Sequence, residues 1–258
     1  MKVFFCNLWN SRLVISQLVD QYVTLRYRRT TLGFFWTLIN PLVTMIITAI
    51  VFSLMMKVEL QSFAIFLFTG LIPWTLFSSC VNLGSVSIIE NESLLKKIYV
   101  PRQTFVVSRC LSLLVDSILS FIALFILAVF IGAHLNWSLF FLPISFFLVF
   151  VFTIGVVLVS SVLSVFYRDV QNIIGIALQV GYYLTPIIYP TSIVPEKYSW
   201  LYTYNPIYYF VELFRQPIYS GMLPSLVTVA VCIVCAFLSL TIGILIFRKY
   251  DHLLIFRL

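Results

Sequence analysis

Apolar residues dominate this chain in long runs separated by short polar breaks. A bilayer span needs roughly 20 mostly apolar residues, and six stretches reach that length: 37–56, 62–82, 105–131, 139–166, 170–189 and 224–247. The third and fourth are long enough to tilt or to project beyond the bilayer. Pro41, Pro73 and Pro143 fall within these runs, which membrane helices tolerate. The pattern predicts an all-α membrane protein, with residues 1–258 forming a single transmembrane domain.

Three segments do not follow the plain crossing pattern. In residues 1–36, apolar positions mix with Ser16, Asp20, Thr24 and the basic cluster Arg26, Arg28 and Arg29. That mixture predicts an amphipathic helix at the inner interface with Trp36 near headgroup level, or more simply a juxtamembrane anchor. The loop 84–102 carries Glu90 and Glu92 ahead of Lys96 and Lys97, and Pro101 follows. This order complements a helix dipole and predicts a short helix. Its strip of Leu94, Leu95 and Ile98 requires a partner surface, either the chain's own spans or another subunit.

The third segment lies between the fifth and sixth runs. Nine of the fourteen tyrosines fall between Tyr182 and Tyr219, among them Tyr189, Tyr204, Tyr208 and Tyr209, together with Trp200, Phe210 and Phe214. Pro186, Pro190, Pro195, Pro206 and Pro217 interrupt any continuous helix. The stretch is apolar enough to enter the membrane and too broken to cross it. A re-entrant pair of short helices over 191–222 fits, provided protein covers the irregular backbone. An interfacial aromatic belt is the plainer alternative.

Composition agrees with the membrane reading, at 62% hydrophobic and 10% charged residues, well outside the soluble range. The net charge of +7 is explained by basic residues beside apolar runs, which set topology and meet anionic lipid, and so implies no nucleic acid. Thirteen of the sixteen precede the first run or follow the second, fourth and sixth, and only Lys57, Lys197 and Arg215 fall on the other side. Both termini, including the tail 248–258, are therefore expected in the cytoplasm. Nothing in the first residues has the form of a removable signal peptide.

The chemistry of an enzyme is sparse. No GxxxxGK[ST] phosphate loop occurs, and no zinc-type cluster or nucleophile elbow. Cys232 and Cys235 have CxxC spacing inside an apolar run, where buried thiols act as small hydrophobes. His134 and His252 are the only histidines. No catalytic, cofactor or metal site is expected in this chain.

Asp116 lies within the third run, with Ser112 and Ser120 a turn to either side. A carboxylate at that depth is expected to face a water-filled path or a neighbouring helix. Glu212 and Arg215 are spaced to pair on one helix face as a polar lip. Arg168 and Asp169 occupy the inner turn between the fourth and fifth runs, where each is expected to seek a different partner. The tyrosines and tryptophans suggest a sugar substrate, since an amphipathic ring can stack on a pyranose and hydrogen-bond its hydroxyls.

Several short motifs, weak singly, are specific in their order and spacing. Arg26-Tyr27-Arg28-Arg29-Thr30-Thr31-Leu32-Gly33 leads to Trp36 and Asn40-Pro41-Leu42. Leu94-Leu95-Lys96-Lys97-Ile98-Tyr99-Val100-Pro101-Arg102 follows, then Tyr167-Arg168-Asp169-Val170. Thr185-Pro186-Ile187-Ile188-Tyr189-Pro190 and Asn205-Pro206 precede Glu212-Leu213-Phe214-Arg215. Over nearly the whole chain this resembles the membrane subunit of bacterial polysaccharide-exporting ABC transporters of the type 2 exporter superfamily.

The resemblance implies a homodimer in the bacterial inner membrane, joined to two copies of a cytoplasmic ATPase that carries ATP and Mg. It makes 87–100 the coupling helix, with Glu90, Glu92, Leu94, Leu95, Lys96, Lys97, Ile98 and Arg102 in the docking region. It makes 191–222 an outer gate, with Tyr189, Tyr204, Tyr208, Tyr209, Phe210, Glu212, Phe214 and Arg215 along the glycan path. The cargo it implies is a polysaccharide on a polyprenyl-diphosphate carrier, O-antigen first, then teichoic acid or capsule. An ion-coupled secondary transporter is the rival from another class. It would carry several intramembrane ionisable groups and internal repeats, of which neither is clear. A membrane enzyme acting on lipid-linked sugars would need a convergent acid, base or metal constellation, and Asp116, Glu212 and Arg215 are too scattered to make one.

Overall fold

Long runs of Val, Ile, Leu and Phe leave the backbone to satisfy its own hydrogen bonds, and in an apolar medium a helix does this within one segment. The computed structural model describes residues 2–28, 33, 35–132, 136–254 and 257, and every regular element among them is helical. In chain order these are α1 (Lys2–Asn10), α2 (Arg12–Tyr27), α3 (Phe35–Met56), α4 (Leu60–Gly84), α5 (Ser87–Glu90), α6 (Glu92–Leu95) and α7 (Gln103–Ile131). A 3-10 turn, Trp137–Phe141, leads into α8 (Leu142–Phe166). Then come α9 (Val170–Leu184), α10 (Trp200–Thr203), α11 (Pro206–Arg215) and α12 (Leu226–Leu254). Arg29 of the expected basic cluster, and His134, lie outside the described residues.

Five helical segments are long and apolar enough to cross a membrane: Leu38–Met56, Leu60–Gly84, Gln103–Phe130, Trp137–Phe166 and Leu226–Leu254. The expected run 170–189 differs. Its helix α9 has 15 residues, about 22 Å of rise, and ends where Thr185 turns extended ahead of Pro186, as a residue preceding proline prefers. The expected tail 248–258 differs too, because α12 carries on as helix to Leu254. Trp36 belongs to α3, not to the interfacial segment.

α4 is the most enclosed long helix and packs against α3, α7, α8, α9 and α11. The tightest seam joins α8 and α12. A Cβ on Gly155 would fall 2.3 Å from the Ser239 backbone carbon, and one on Gly243 would fall 2.5 Å from the Gly155 carbonyl oxygen. Glycine at both positions lets the backbones touch, the small-residue packing that holds membrane helices together where lipid offers no hydrophobic drive. Ser239 Oγ donates to the Phe152 carbonyl across the same seam at 2.9 Å.

One end of the bundle gathers the N-terminus, the 85–102 loop and the end of α12. Gln103 Nε2 donates to the Phe4 carbonyl at 2.8 Å, and Arg102 pairs with Asp251 at 2.9 Å. Both described ends of the chain thus lie at the end of the bundle where α7 begins.

Candidate functional site

α2 does not stand apart from the spans. Leu18 and Tyr22 pack with Phe105, the Arg109 guanidinium sits 4.7 Å from the centre of the Tyr22 ring, and Arg26 forms an ion pair with Asp116. These pairs advance together, so α2 runs alongside α7 in the same direction. Asp116, some 20 Å up α7 from Gln103 by helical rise, therefore faces a neighbouring helix, one of the two surroundings expected for it. The neighbour is the segment expected to lie flat at the interface. Arg28 remains exposed.

The expected coupling helix is two short helices broken at Asn91. The Asn91 amide donates to the Ser87 carbonyl and to the Tyr22 hydroxyl, both at 2.7 Å, so one side chain ends α5 and ties the loop to α2. Burial raises the Tyr22 hydroxyl pKa above its ordinary value, against the lowering effects of the Asn91 hydrogen bond and the Arg109 charge. Glu90 lies 4.0 Å from Arg109, and Glu92 pairs with Lys96 one turn on. Leu94 and Leu95 pack on the Leu18–Tyr22–Phe105 cluster. The strip is thus split: its two leucines find the chain's own surface, while Ile98 stays half exposed. Beside it Tyr99 is 97% exposed, and Lys96 and Lys97 also point outward.

At the other end, the break after α9 is held from both ends of α11. Asn205 caps α11 by accepting from the Ile207 amide at 3.0 Å, with Pro206 in the first turn, a cap legible in the sequence. The Asn205 amide also donates to Thr185 Oγ1 at 2.8 Å. Arg215 Nη2 donates to the Pro186 carbonyl at 2.9 Å, and Nη1 to Glu212 Oε1 at 3.2 Å. The Glu212–Arg215 pair follows its expected spacing, but Arg215 is buried and clamps backbone where a polar lip was expected. Phe210 and Phe214 also turn inward, against Phe152 at 4.7 Å and Phe146 at 4.9 Å between ring centres. Side chains spent in this packing have no face left for a glycan. Tyr204 is exposed, and Tyr189, Tyr208 and Tyr209 lie partly so. Tyr189 donates to the Tyr183 carbonyl at 2.9 Å, and Tyr209 to the Thr203 carbonyl at 3.0 Å. Arg168 and Asp169 are both exposed at the α8–α9 turn.

Sequence reasoning missed a groove of about 510 Å³ between α3, α4 and α9. From α4 come Trp74, Thr75, Ser78, Ser79 and Asn82, and from α9 Gln179, Tyr182 and Tyr183. The Trp74 and Tyr182 rings lie 5.6 Å apart, tilted by 52°. A Cβ on Gly181 would sit 3.2 Å from Trp74, so glycine brings α9 onto this ring, whereas Gly175 faces open space in the groove wall. The missed signal was periodic: Thr75, Ser78 and Asn82 recur at helical spacing inside an apolar run. Hydroxyls can satisfy themselves on the preceding turn, as Thr75 does by donating to the Ile72 carbonyl at 3.0 Å. Exposed amides such as Asn82 and Gln179 are costly against lipid tails. This face is built for water, a polar ligand or protein.

A family model described as ABC-2 type transporter matches residues 14–219. The O-antigen export system permease protein RfbA of Klebsiella pneumoniae is 29% identical, over 91% of each chain. A protein of the same name from Myxococcus xanthus is 28% identical over 85% of each. The polysialic acid transport protein KpsM of Escherichia coli is 23% identical over 93% of this chain and 95% of its own.

Proposed function

Because this chain belongs to the ABC-2 type transporter family, we propose that it is the membrane-spanning subunit of an ATP-driven exporter of lipid-linked polysaccharide, with O-antigen on a polyprenyl-diphosphate carrier as cargo. The observation that carries this reading is the groove of hydroxyl, amide and aromatic side chains cut into membrane helices. A polymer that must keep sliding is served by many weak stacking and hydrogen-bonding contacts. The names of the permease relatives support O-antigen as the cargo.

In this reading the groove of one copy faces that of a second copy, and the glycan passes between them. The exposed apolar face of α3, including Ile47, Leu54 and Met55, is left for lipid or for that second copy. Parity supports a sixth crossing: ends at one side of the bundle require an even number of spans, and α9 with the turns of 185–190 supplies the one missing from five. The basic residues at that end favour the cytoplasm of a bacterial inner membrane. Packing of α11 among α4, α8 and α12 supports a re-entrant outer segment whose irregular backbone is covered by protein. Ile98, Tyr99, Lys96 and Lys97 form the docking surface for a cytoplasmic ATPase, which holds the ATP and Mg and drives the movement.

Deletion and complementation test this directly. Cells lacking the chain should accumulate lipid-linked glycan on the cytoplasmic side and lose it from the surface, and the intact chain should restore export. Normal surface glycan in the deletion strain would overturn the reading.

A further inference from the structure

The groove's lining has a consistent chemical character. Among the twelve described residues that line it are hydroxyls, two side-chain amides, three aromatic residues and aliphatic carbon, and none of these twelve is charged. The charges nearest along α9 are Arg168 and Asp169, at the turn before its first residue, and they are of opposite sign. Passages that conduct anions through a membrane place Lys or Arg along the path, because a low-dielectric wall otherwise repels charge. This groove instead presents Asn82 and Gln179, whose amides both donate and accept, beside the tilted pair of Trp74 and Tyr182. That combination matches an uncharged pyranose, with hydroxyls for the amides and a C–H face for the rings.

We propose that the groove selects neutral glycan repeat units and disfavours acidic ones, with Gln179 as its charge-determining position. The proposal rests on the exporter reading and narrows its cargo: of the two glycan classes carried in the relatives' names, it favours uncharged repeat units over a polysialic acid-like polyanion. It concerns the repeat units that slide past Trp74, and not the diphosphate of the carrier. Gln179 lies one helical turn from Gly175, where α9 leaves the wall open, and its side chain is exposed to the groove. A substitution there alters the charge the glycan meets without disturbing the packed side of α4.

The test uses the intact chain with its ATPase in lipid nanodiscs. The probes are a neutral gluco-oligosaccharide and a sialic-acid oligosaccharide of matched length, read by saturation-transfer NMR. Titrated to a Kd, the neutral probe should bind at least about tenfold more tightly, a difference of about 1.4 kcal/mol. Gln179→Lys should move the ratio toward the acidic probe, and Gln179→Glu should abolish the acidic signal entirely. Equal affinities for both probes, or a ratio unmoved by Gln179→Lys, would overturn the charge selection while leaving a sugar groove in place. Silence from both probes would overturn the groove as a sugar site. Restored surface glycan in the complementation experiment would stand regardless, so failure here and failure of the exporter reading are separable.

Discussion

The Arg215 guanidinium sits over the Phe66 ring, with Cζ 3.9 Å from the ring centre. It thereby joins α4 to the two carbonyls it holds after α9, at Pro186 and Ile187. Its ammonium-bearing counterpart, lysine, has no planar fork to reach two carbonyls and Glu212 together.

Removing this side chain leaves Glu212 partly buried without its partner and the 186–187 carbonyls without a donor. Arg215→Ala is expected to cost about 3–5 kcal/mol, and Arg215→Lys to recover only part of it. The double variant with Glu212→Ala should lose less than the sum of the singles. Thermal unfolding of the purified protein in detergent measures all three. Additive losses would mean that the pair is not coupled.

The α8–α12 seam gives a second expectation. Gly155→Val must push α12 away, at about 1–3 kcal/mol or more for overpacking, whereas Gly175→Ala meets nothing within 4 Å and should raise the unfolding midpoint slightly, by up to about 1 kcal/mol of helix propensity. The two variants compared in one melting experiment separate a packed glycine from an open one.

Arg26 and Asp116 are joined across ninety positions of sequence. Reversing either charge alone should place like charges together and lower the yield of folded protein. The exchange Arg26→Asp with Asp116→Arg should recover most of it. Yield by fluorescence-detected size exclusion checks this, and an exchange no better than either single reversal would count against the pair.

Docking of the ATPase is tested at the outward half of the loop. Lys96→Glu with Lys97→Glu, or Ile98→Ala with Tyr99→Ala, should reduce co-purification of the ATPase at least severalfold. Leu94→Ala should act differently, loosening α6 from α2 and lowering stability instead. Unchanged co-purification in both double variants would move the docking surface elsewhere.

Local rules carried much of this fold. Run lengths marked five of the six expected spans, Asn205-Pro206 marked the start of α11, and the spacing of Glu212 and Arg215 foretold their pairing. What escaped was set by contacts remote in sequence. Asp116 was conspicuous as a carboxylate in an apolar run, yet no periodicity could name Arg26 as its partner. The split of α5 and α6 depends on Asn91 reaching Tyr22, sixty-nine positions away. Phe210 and Phe214 belonged to an aromatic-rich stretch whose inward and outward faces only the packing against Phe146 and Phe152 could assign. The groove stayed hidden because serine and threonine barely lower the hydropathy of a span.

The shared direction of α2 and α7 imposes an order on how the chain is made. Arg26 leaves the ribosome ninety residues before Asp116, a wait of about 5–18 s at ordinary elongation rates. Until α7 has been inserted, the helix that will flank it has no companion. The outward Phe5, Trp9 and Leu13 can rest among lipid headgroups over that interval. The first helices made find their place only after the later spans α3 and α4 and then α7 have followed them.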